Sequence, residues 1–400
     1  MSINNTIDKI EITICEIKTS FDILPNHIKI KKSNLDLIFF ELYDSMCYLK
    51  SEIDKSECLK LWDNAKRKVN PYEFVNMLGT NILKTENIKK QYFISNKKYA
   101  PLSRAFFKLT EIWSLIDLIP IKYKNKSGYI ANIAEGPGGF IEAIYKQRKV
   151  SGILDTYCAT TLYAKNKNIP GWNQLLRRKA HFLNNKNVNL KTGNLYEKNT
   201  ILNYSSFFKE NKAFLVTCDG GFDYSDDFNN QEINSRRIIY AEIITTLLIQ
   251  EKGGNMVCKM FDIFTYFSIQ LLYILSIFYE KINIIKPVTS RPANSEKYII
   301  SLGFKGTYIS KECIDSMLDV LDKWDTENEI IIEDLNVPAN FIEQIKDINL
   351  YYTNNQKKYI TKTLNYITDS TKYNINEQIK YSDLWFDKYN VVKKEYTQYT

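Results

Sequence analysis

The sequence predicts an α/β fold: a mostly parallel seven-stranded sheet with one antiparallel strand, and helical extensions at either end. Three observations carry that prediction. Apolar runs alternate with amphipathic stretches between residues 96 and 305, the pattern of strands joined by helices. A glycine-rich turn, EGPGGF, follows the first of those runs at residues 135–140. Two later runs, AFLVTCD and NMVCKMF, end at or near Asp219 and Lys259, where parallel strands open onto a ligand face.

Taken in order, residues 1–95 mix helical and short apolar patterns without a glycine loop, and read as a mostly helical accessory region. YIANIAE (129–135) is the first strand, with a helix starting in the GPGG turn. ILDTYCAT (153–160) is the second, followed by a helix around WNQLLRRKAHFL. VNLKTG is a short strand before a helix that begins close to Glu197. AFLVTCD (213–219) comes next, and the long amphipathic stretch after it reads as a helix stopped by Gly253 and Gly254. NMVCKMF is a strand. The apolar window 261–279 is interrupted by Asp262, Thr265, Ser268 and Gln270, so it reads as a buried helix on the sheet and not a bilayer span. KINIIKPV is a further strand and KYIISLGF the closing antiparallel one. Residues 306–400 read as a helical, tyrosine-rich extension.

A chain of 400 residues suits a catalytic domain with extra segments. Its 44% hydrophobic and 25% charged content is that of a soluble globular protein. The balance of 54 basic against 46 acidic residues gives +8, which fits an RNA partner and equally a solvated lysine surface. Basic clusters occur at 122–126 and 177–179. Seven scattered cysteines without a C-x-x-C pair, and only two histidines, predict no metal site. Such thiols read as small core residues in a reducing compartment. With no apolar leader at the start of the sequence, the expected location is the cytoplasm. For a viral protein that means the host cytoplasm or the virion, with the nucleus as an alternative.

In EGPGGF, Pro137 fixes one dihedral, while Gly136, Gly138 and Gly139 carry no side chain that would keep a ligand off the backbone. The pattern is not G-x-G-x-x-G and implies no pyrophosphate cradle. A compact turn after a first strand suits a nucleoside with a short charged tail, as in S-adenosylmethionine. Glu135 and Phe140 flank it as further cofactor candidates.

Five segments, SRAFFKLTEI, NIAEGPGGFIEAI, CDGGFD, GGNMVCKMFDIFTYFS and KPVTSRPANSEKY, span residues 103–298. In content and order they resemble the FtsJ-like ribose 2′-O-methyltransferase family, and within it the cap-specific messenger RNA branch of eukaryotes and large DNA viruses. The resemblance implies a Rossmann-like class I methyltransferase domain over residues 96–305, S-adenosylmethionine as cofactor and a catalytic tetrad of Lys108, Asp219, Lys259 and Glu296. It implies methyl transfer to the first transcribed nucleotides of capped messenger RNA, with Lys259 beside the target hydroxyl as general base. A ribose hydroxyl is a poor nucleophile and must lose or share its proton as it attacks. An ammonium cannot accept that proton, so enclosure, Lys108 and the sulfonium charge are expected to lower the Lys259 pKa. The two carboxylates oppose that shift and are read as orienting groups: Asp219 holds Lys259 near the methyl, and Glu296 anchors Lys108 or the ribose.

Some positions depart from the family pattern. Only Thr160 and Thr161 stand where a carboxylate often follows the second strand, and Asn194 stands where an aspartate often lies beside the adenine. Asn132 occupies a position that is often acidic. Asn194 and Asp219 complete the expected cofactor contacts. Ser103, Arg104 and Arg291 flank the tetrad and are read as RNA-backbone contacts, with helix-stabilising ion pairs as the alternative. Tyrosine, at 28 residues, offers stacking platforms for a methylated guanine without singling out a pair. The expected partners are capped messenger RNA and other capping or transcription proteins, with no membrane. The alternatives are a 2′-O-methyltransferase of ribosomal or transfer RNA, and a non-catalytic RNA-binding or assembly subunit that keeps the fold.

Overall fold

The computed structural model describes residues 12–20, 22–32, 37–84, 100–162, 172, 188–221, 230–324, 330–368 and 375–394. Its strands are β1 (Ile14–Ile17), β2 (Ile30–Lys32), β3 (Gly79–Leu83), β4 (Tyr129–Ile133), β5 (Thr156–Thr161), β6 (Val188–Thr192), β7 (Ala213–Cys218), β8 (Gln250–Met260), β9 (Tyr279–Ile285), β10 (Lys297–Phe304), β11 (Ile330–Ile332) and β12 (Val391–Lys393). The helices are α1 (Phe40–Ser51), α2 (Ser56–Val69), α3 (Glu73–Leu78), α4 (Ala105–Leu115), α5 (Gly139–Val150) and α6 (Lys198–Ser206). They continue with α7 (Gln231–Ile249), α8 (Tyr266–Phe278), α9 (Lys311–Asp322), α10 (Ala339–Thr368) and α11 (Ile375–Lys388).

The central sheet runs β1-β9-β10-β8-β7-β4-β5-β6. Its seven expected strands are all present. β6, β5, β4, β7 and β8 are mutually parallel. β10 enters antiparallel between β8 and β9. The eighth strand, β1, was not foreseen. It comes from the accessory region and pairs antiparallel with β9, Ile14 against Ile285 and Ile17 against Ile282. An apolar edge left open would invite pairing with another chain; β1 covers β9 and is itself a short, largely exposed edge strand.

One boundary differs from the sequence expectation. The long helix α7 ends at Ile249, and Gly253 and Gly254 lie inside β8 instead of stopping the helix. Gln250 is already extended at ψ 135°, and β8 pairs with β7 through a register shift between Ala213 and Leu215. Glycines tolerate such a bulge. The Gln250 side-chain amide bridges it by donating to the carbonyls of Ala213 (3.0 Å) and Asn255 (3.3 Å).

The apolar window forms α8, and no helix among the described residues is long and apolar enough to cross a membrane. The polar residues that interrupt the window are buried and bonded. Thr265 caps the helix by accepting the Ser268 N–H, and Gln270 exchanges two 2.7 Å bonds with the Ile332 backbone of β11. Apart from Trp172, the helix expected around WNQLLRRKAHFL and the basic cluster at 177–179 lie outside the described residues.

Both sheet faces are covered. One face packs Ile243, Leu272, Tyr204 and Leu318 from α7, α8, α6 and α9. The other packs Phe106, Phe107, Ile144 and Trp385 from α4, α5 and α11. The two terminal regions also pair with each other, β11 with β2 and β12 with β3, and α10 lies along α2.

Below the sheet, Arg148 of α5 grips the connection that leads into β4. It donates to both oxygens of Asp155 (2.6 and 2.9 Å) and to the carbonyls of Tyr123 and Lys126 (2.9 Å each). Asp155 also accepts the Gly128 N–H at 3.0 Å. Both side chains are almost fully buried. Arg148→Ala strands the carboxylate, and a stability loss of about 3–5 kcal/mol is expected. A urea titration would show it as a lower midpoint at unchanged slope.

Candidate active site

The four predicted side chains come from four elements and meet at one edge of the sheet. Asp219 follows the C-terminal end of β7, and Lys259 is the penultimate residue of β8. Glu296 immediately precedes β10, which runs the opposite way and so begins at the same edge. Lys108 projects from α4. The chain separates them by up to 188 positions, and parallel strand topology brings them together.

They form two ion pairs. Lys108 Nζ lies 2.6 Å from Glu296 Oε1, and Lys259 Nζ lies 3.1 Å from Asp219 Oδ1. Lys259 also donates to the Asp219 backbone carbonyl at 2.8 Å. Gly221 leaves room for this arrangement, since a Cβ there would sit 2.9 Å from Lys259 Nζ and displace it. The side chains are only 12–15% exposed, enclosed yet reachable.

Sequence reasoning missed a fifth group. The buried Tyr298 hydroxyl lies between the carboxylates, 3.2 Å from Glu296 Oε1 and 3.5 Å from Asp219 Oδ1. Tyr298 is the cross-strand partner of Lys259 and packs on Phe140 behind the glycine turn. Its signal was present, since residues two apart on a strand share a face. Ser290 Oγ donates to Glu296 Oε1 at 3.0 Å. Lys286 donates to the Glu296 carbonyl and to both Asn294 oxygens, within 2.8 Å in each case. Burial brings the Lys286 pKa down to about 7.

The expected lowering of the Lys259 pKa counts on the sulfonium charge, and the chain's own carboxylates act the other way. Burial does work to lower its pKa, but Asp219 and Glu296 outweigh it and raise it well above an ordinary lysine. In the chain alone, its two carboxylate neighbours therefore favour the ammonium form of Lys259. Glu296 behaves in the complementary way: burial would raise it, while Lys108 and Lys259 hold it far below the ordinary carboxylate range.

The glycine turn lies beside these groups, after β4 and before α5. Gly138 adopts φ +106°, which favours glycine. At Gly139 a Cβ would lie 2.9 Å from Ala105 Cβ and 3.0 Å from Phe106 N, so the missing side chain also admits the start of α4. Glu135 is buried, accepting from Thr217 Oγ1 at 2.9 Å, which in turn accepts from Asn132 Nδ2 at 2.7 Å. Burial and then Asp219 push its carboxyl well above the usual range. Asn194 turns its oxygen to the Tyr196 N–H at 3.1 Å, within its own loop. Thr160 and Thr161 are buried at the end of β5.

The expected RNA contacts are engaged within the protein. Ser103 Oγ accepts the Ala105 N–H at 3.3 Å. Arg291 forms a two-point contact with Glu73 of α3 (3.0 and 3.3 Å), the ion-pair alternative. Arg104 donates one nitrogen to the Thr289 carbonyl at 3.2 Å, while its buried Nε has no partner. The basic cluster at 122–126 precedes β4 and so lies at the opposite end of the strands from the tetrad. There Lys122 pairs with Glu251 and Lys124 with Asp117.

Strand register pairs Cys218 with Cys258, and Glu242 of α7 packs against them so that the three groups lie within 4.8 Å of one another, a grouping no spacing in the sequence announces. Burial raises Cys218, and raises Cys258 against the pull of its contact with Cys218. Cys258 Sγ lies 3.8 Å from Glu242 Oε2, and Cys218 Sγ lies 3.7 Å from Thr246 Oγ1.

Residues 101–304, about half of the chain, match the FtsJ-like methyltransferase family. The chain belongs to that family. Among curated relatives, it is 30% identical over 327 residues to cap-specific mRNA (nucleoside-2′-O-)-methyltransferase 1 of Dictyostelium discoideum, covering 76% of this chain and 40% of that protein. It is 26% identical over 317 residues to cap-specific mRNA (nucleoside-2′-O-)-methyltransferase 1A of Caenorhabditis briggsae, covering 74% and 36%. It is 24% identical over 319 residues to the inactive cap-specific mRNA (nucleoside-2′-O-)-methyltransferase 1B of the same organism, covering 74% and 37%. The chain thus spans well under half the length of these relatives.

Proposed function

We propose that this chain transfers a methyl group from S-adenosylmethionine to the ribose 2′-oxygen of RNA, at the first transcribed nucleotides of capped messenger RNA. The observation that carries the reading is the pairing of Lys108 with Glu296 and of Lys259 with Asp219 at one sheet edge, beside the glycine turn. The relatives' names supply the substrate class.

The cofactor suits the residues present. The helix α5 begins at Gly139 with no side chain capping it, so its first-turn N–H groups suit an anionic tail. S-adenosylmethionine supplies a methyl group on a positively charged sulfur. Glu135, Gly136, Pro137, Gly138 and Phe140 shape its place, with Asp219 at the border between donor and acceptor. Lys259 orients the 2′-hydroxyl and, once its own ammonium proton has passed to solvent, takes the hydroxyl proton as the oxygen attacks the methyl group. A positive charge arriving beside Asp219 favours that loss. Glu296 keeps Lys108 fixed beside the reacting pair. Residues 96–305 act as the catalytic domain, the terminal regions as extensions, and the protein works with other capping or transcription proteins in the cytoplasm or a virion.

One assay with radiolabelled cofactor on capped and uncapped transcripts tests the reading. Label on capped RNA alone is expected; equal label on both would favour the ribosomal or transfer RNA alternative. The non-catalytic alternative draws on the inward-turned Asn194 and on the inactive relative. Calorimetry decides it, since no heat with millimolar S-adenosylmethionine would sink the enzyme reading.

A further inference from the structure

Glu242 lies in the middle of α7, fully buried and outside every motif that builds the site. Its Oε1 accepts the Gly220 N–H at 2.8 Å, and its Oε2 faces Cys258 Sγ at 3.8 Å. Cys258 directly precedes Lys259, and it pairs in register with Cys218, which directly precedes Asp219. One carboxyl group therefore touches both strands at the level just below the reacting pair. At Gly220 the turn closes so tightly on α7 that a Cβ would press on Glu242 Oε1 and lie 2.8 Å from Ile238 Cγ1. Lys259 holds the same turn from the other side, donating to the Asp219 carbonyl at 2.8 Å. The turn is held between the two.

We propose that Glu242 is a positioning residue for Lys259: by accepting the Gly220 N–H it fixes the turn from Asp219 to Gly221, so that the Asp219 carbonyl and carboxylate both face the lysine. The inference rests on the reading of Lys259 as the reacting lysine. Without that support a buried N–H loses its acceptor, and the turn is free to rotate the Asp219 carbonyl away from its 2.8 Å contact. Cys218, Asp219, Cys258, Lys259 and Glu135 are the titratable groups that face this carboxyl. Burial holds it at about 8, against the Gly220 N–H and Lys259, so it is neutral near pH 7. A neutral amide of the same shape can take its place.

Three variants of the full chain test this: Glu242→Gln, Glu242→Leu and Glu242→Asp. Gln keeps an acceptor at the same reach, and a turnover number within about twofold of the wild type is expected. Leu removes the acceptor, and kcat is expected to fall about 10–100-fold, as for a reacting group displaced by roughly 1 Å. S-adenosylmethionine affinity and the KM for RNA should stay within about twofold. Asp withdraws the carboxyl from Gly220 while remaining polar, and serves if Leu does not fold. Crystal structures of the same variants give a readout independent of turnover: the contact from Lys259 to the Asp219 carbonyl is expected to persist in Gln and be lost in Leu or Asp. Persistence of that contact in a folded Leu or Asp variant, or wild-type kcat in either, overturns the proposal. Absence of methyl transfer in the wild type overturns the proposed function instead, and leaves the structural readout to decide Glu242.

Discussion

Lys259→Ala is expected to lower methyl transfer to capped RNA by about 10³-fold or more, because general-base assistance alone is worth about 10²–10⁴ and the ammonium also orients the hydroxyl. Cofactor affinity should change little, since Lys259 contacts Asp219 and not the glycine turn. The wild type should show a distinctive pH response. Asp219 and Glu296 raise the lysine above its ordinary value, so the free base is scarce at neutral pH and its fraction grows tenfold per pH unit. In the free enzyme, log kcat/KM is therefore expected to climb with a slope near one from pH 7 through pH 9. A flat profile with wild-type turnover in the alanine variant would remove Lys259 from the proton transfer.

The raised pKa also marks where sequence reasoning reached its limit. That two carboxylates oppose the base form was legible from the motif. That the Asp219 backbone carbonyl adds a second acceptor at 2.8 Å was not, because it depends on a turn conformation set by Glu242 some twenty positions away. The strands were legible because apolar, β-branched runs such as those of β4 and β7 declare themselves locally. The start of β8 was not, since EKGG has the composition of a helix stop while its pairing with β7 is tertiary. Arg291 illustrates the same limit at longer range. Its partner Glu73 lies 218 positions upstream, and no local pattern connects them. The accessory region and the strap that carries Ser290 and Glu296 are thereby joined, with Glu111 of α4 accepting the Val288 and Thr289 N–H groups from beneath.

Glu296→Gln carries the second large effect. The glutamine fits the same space and can still accept from Ser290 and Tyr298, which lie 3.0 and 3.2 Å from the carboxylate oxygen. What it lacks is the charge that balances Lys108 at 2.6 Å in a site only 12% exposed. Two ammonium groups would then share Asp219 as their remaining carboxylate within the tetrad. Breaking an enclosed pair by removing one partner costs about 3–5 kcal/mol, and loss of the ordered Lys108 should reduce turnover by about 10²-fold. The sign of the pH dependence follows from the direction of the shift. Glu296 is held below its ordinary value in the folded protein, so its stabilisation is fully present above the unfolded carboxyl pKa of about 4.3 and is lost as pH falls toward the folded value. The stability gap between wild type and variant should thus be widest at pH 7 and narrow progressively below about pH 4.3. Urea titrations of both proteins at pH 7 and pH 3.5 measure it directly. A gap that is absent at pH 7, or that widens on acidification, would mean that Lys108 is held by something other than the Glu296 charge.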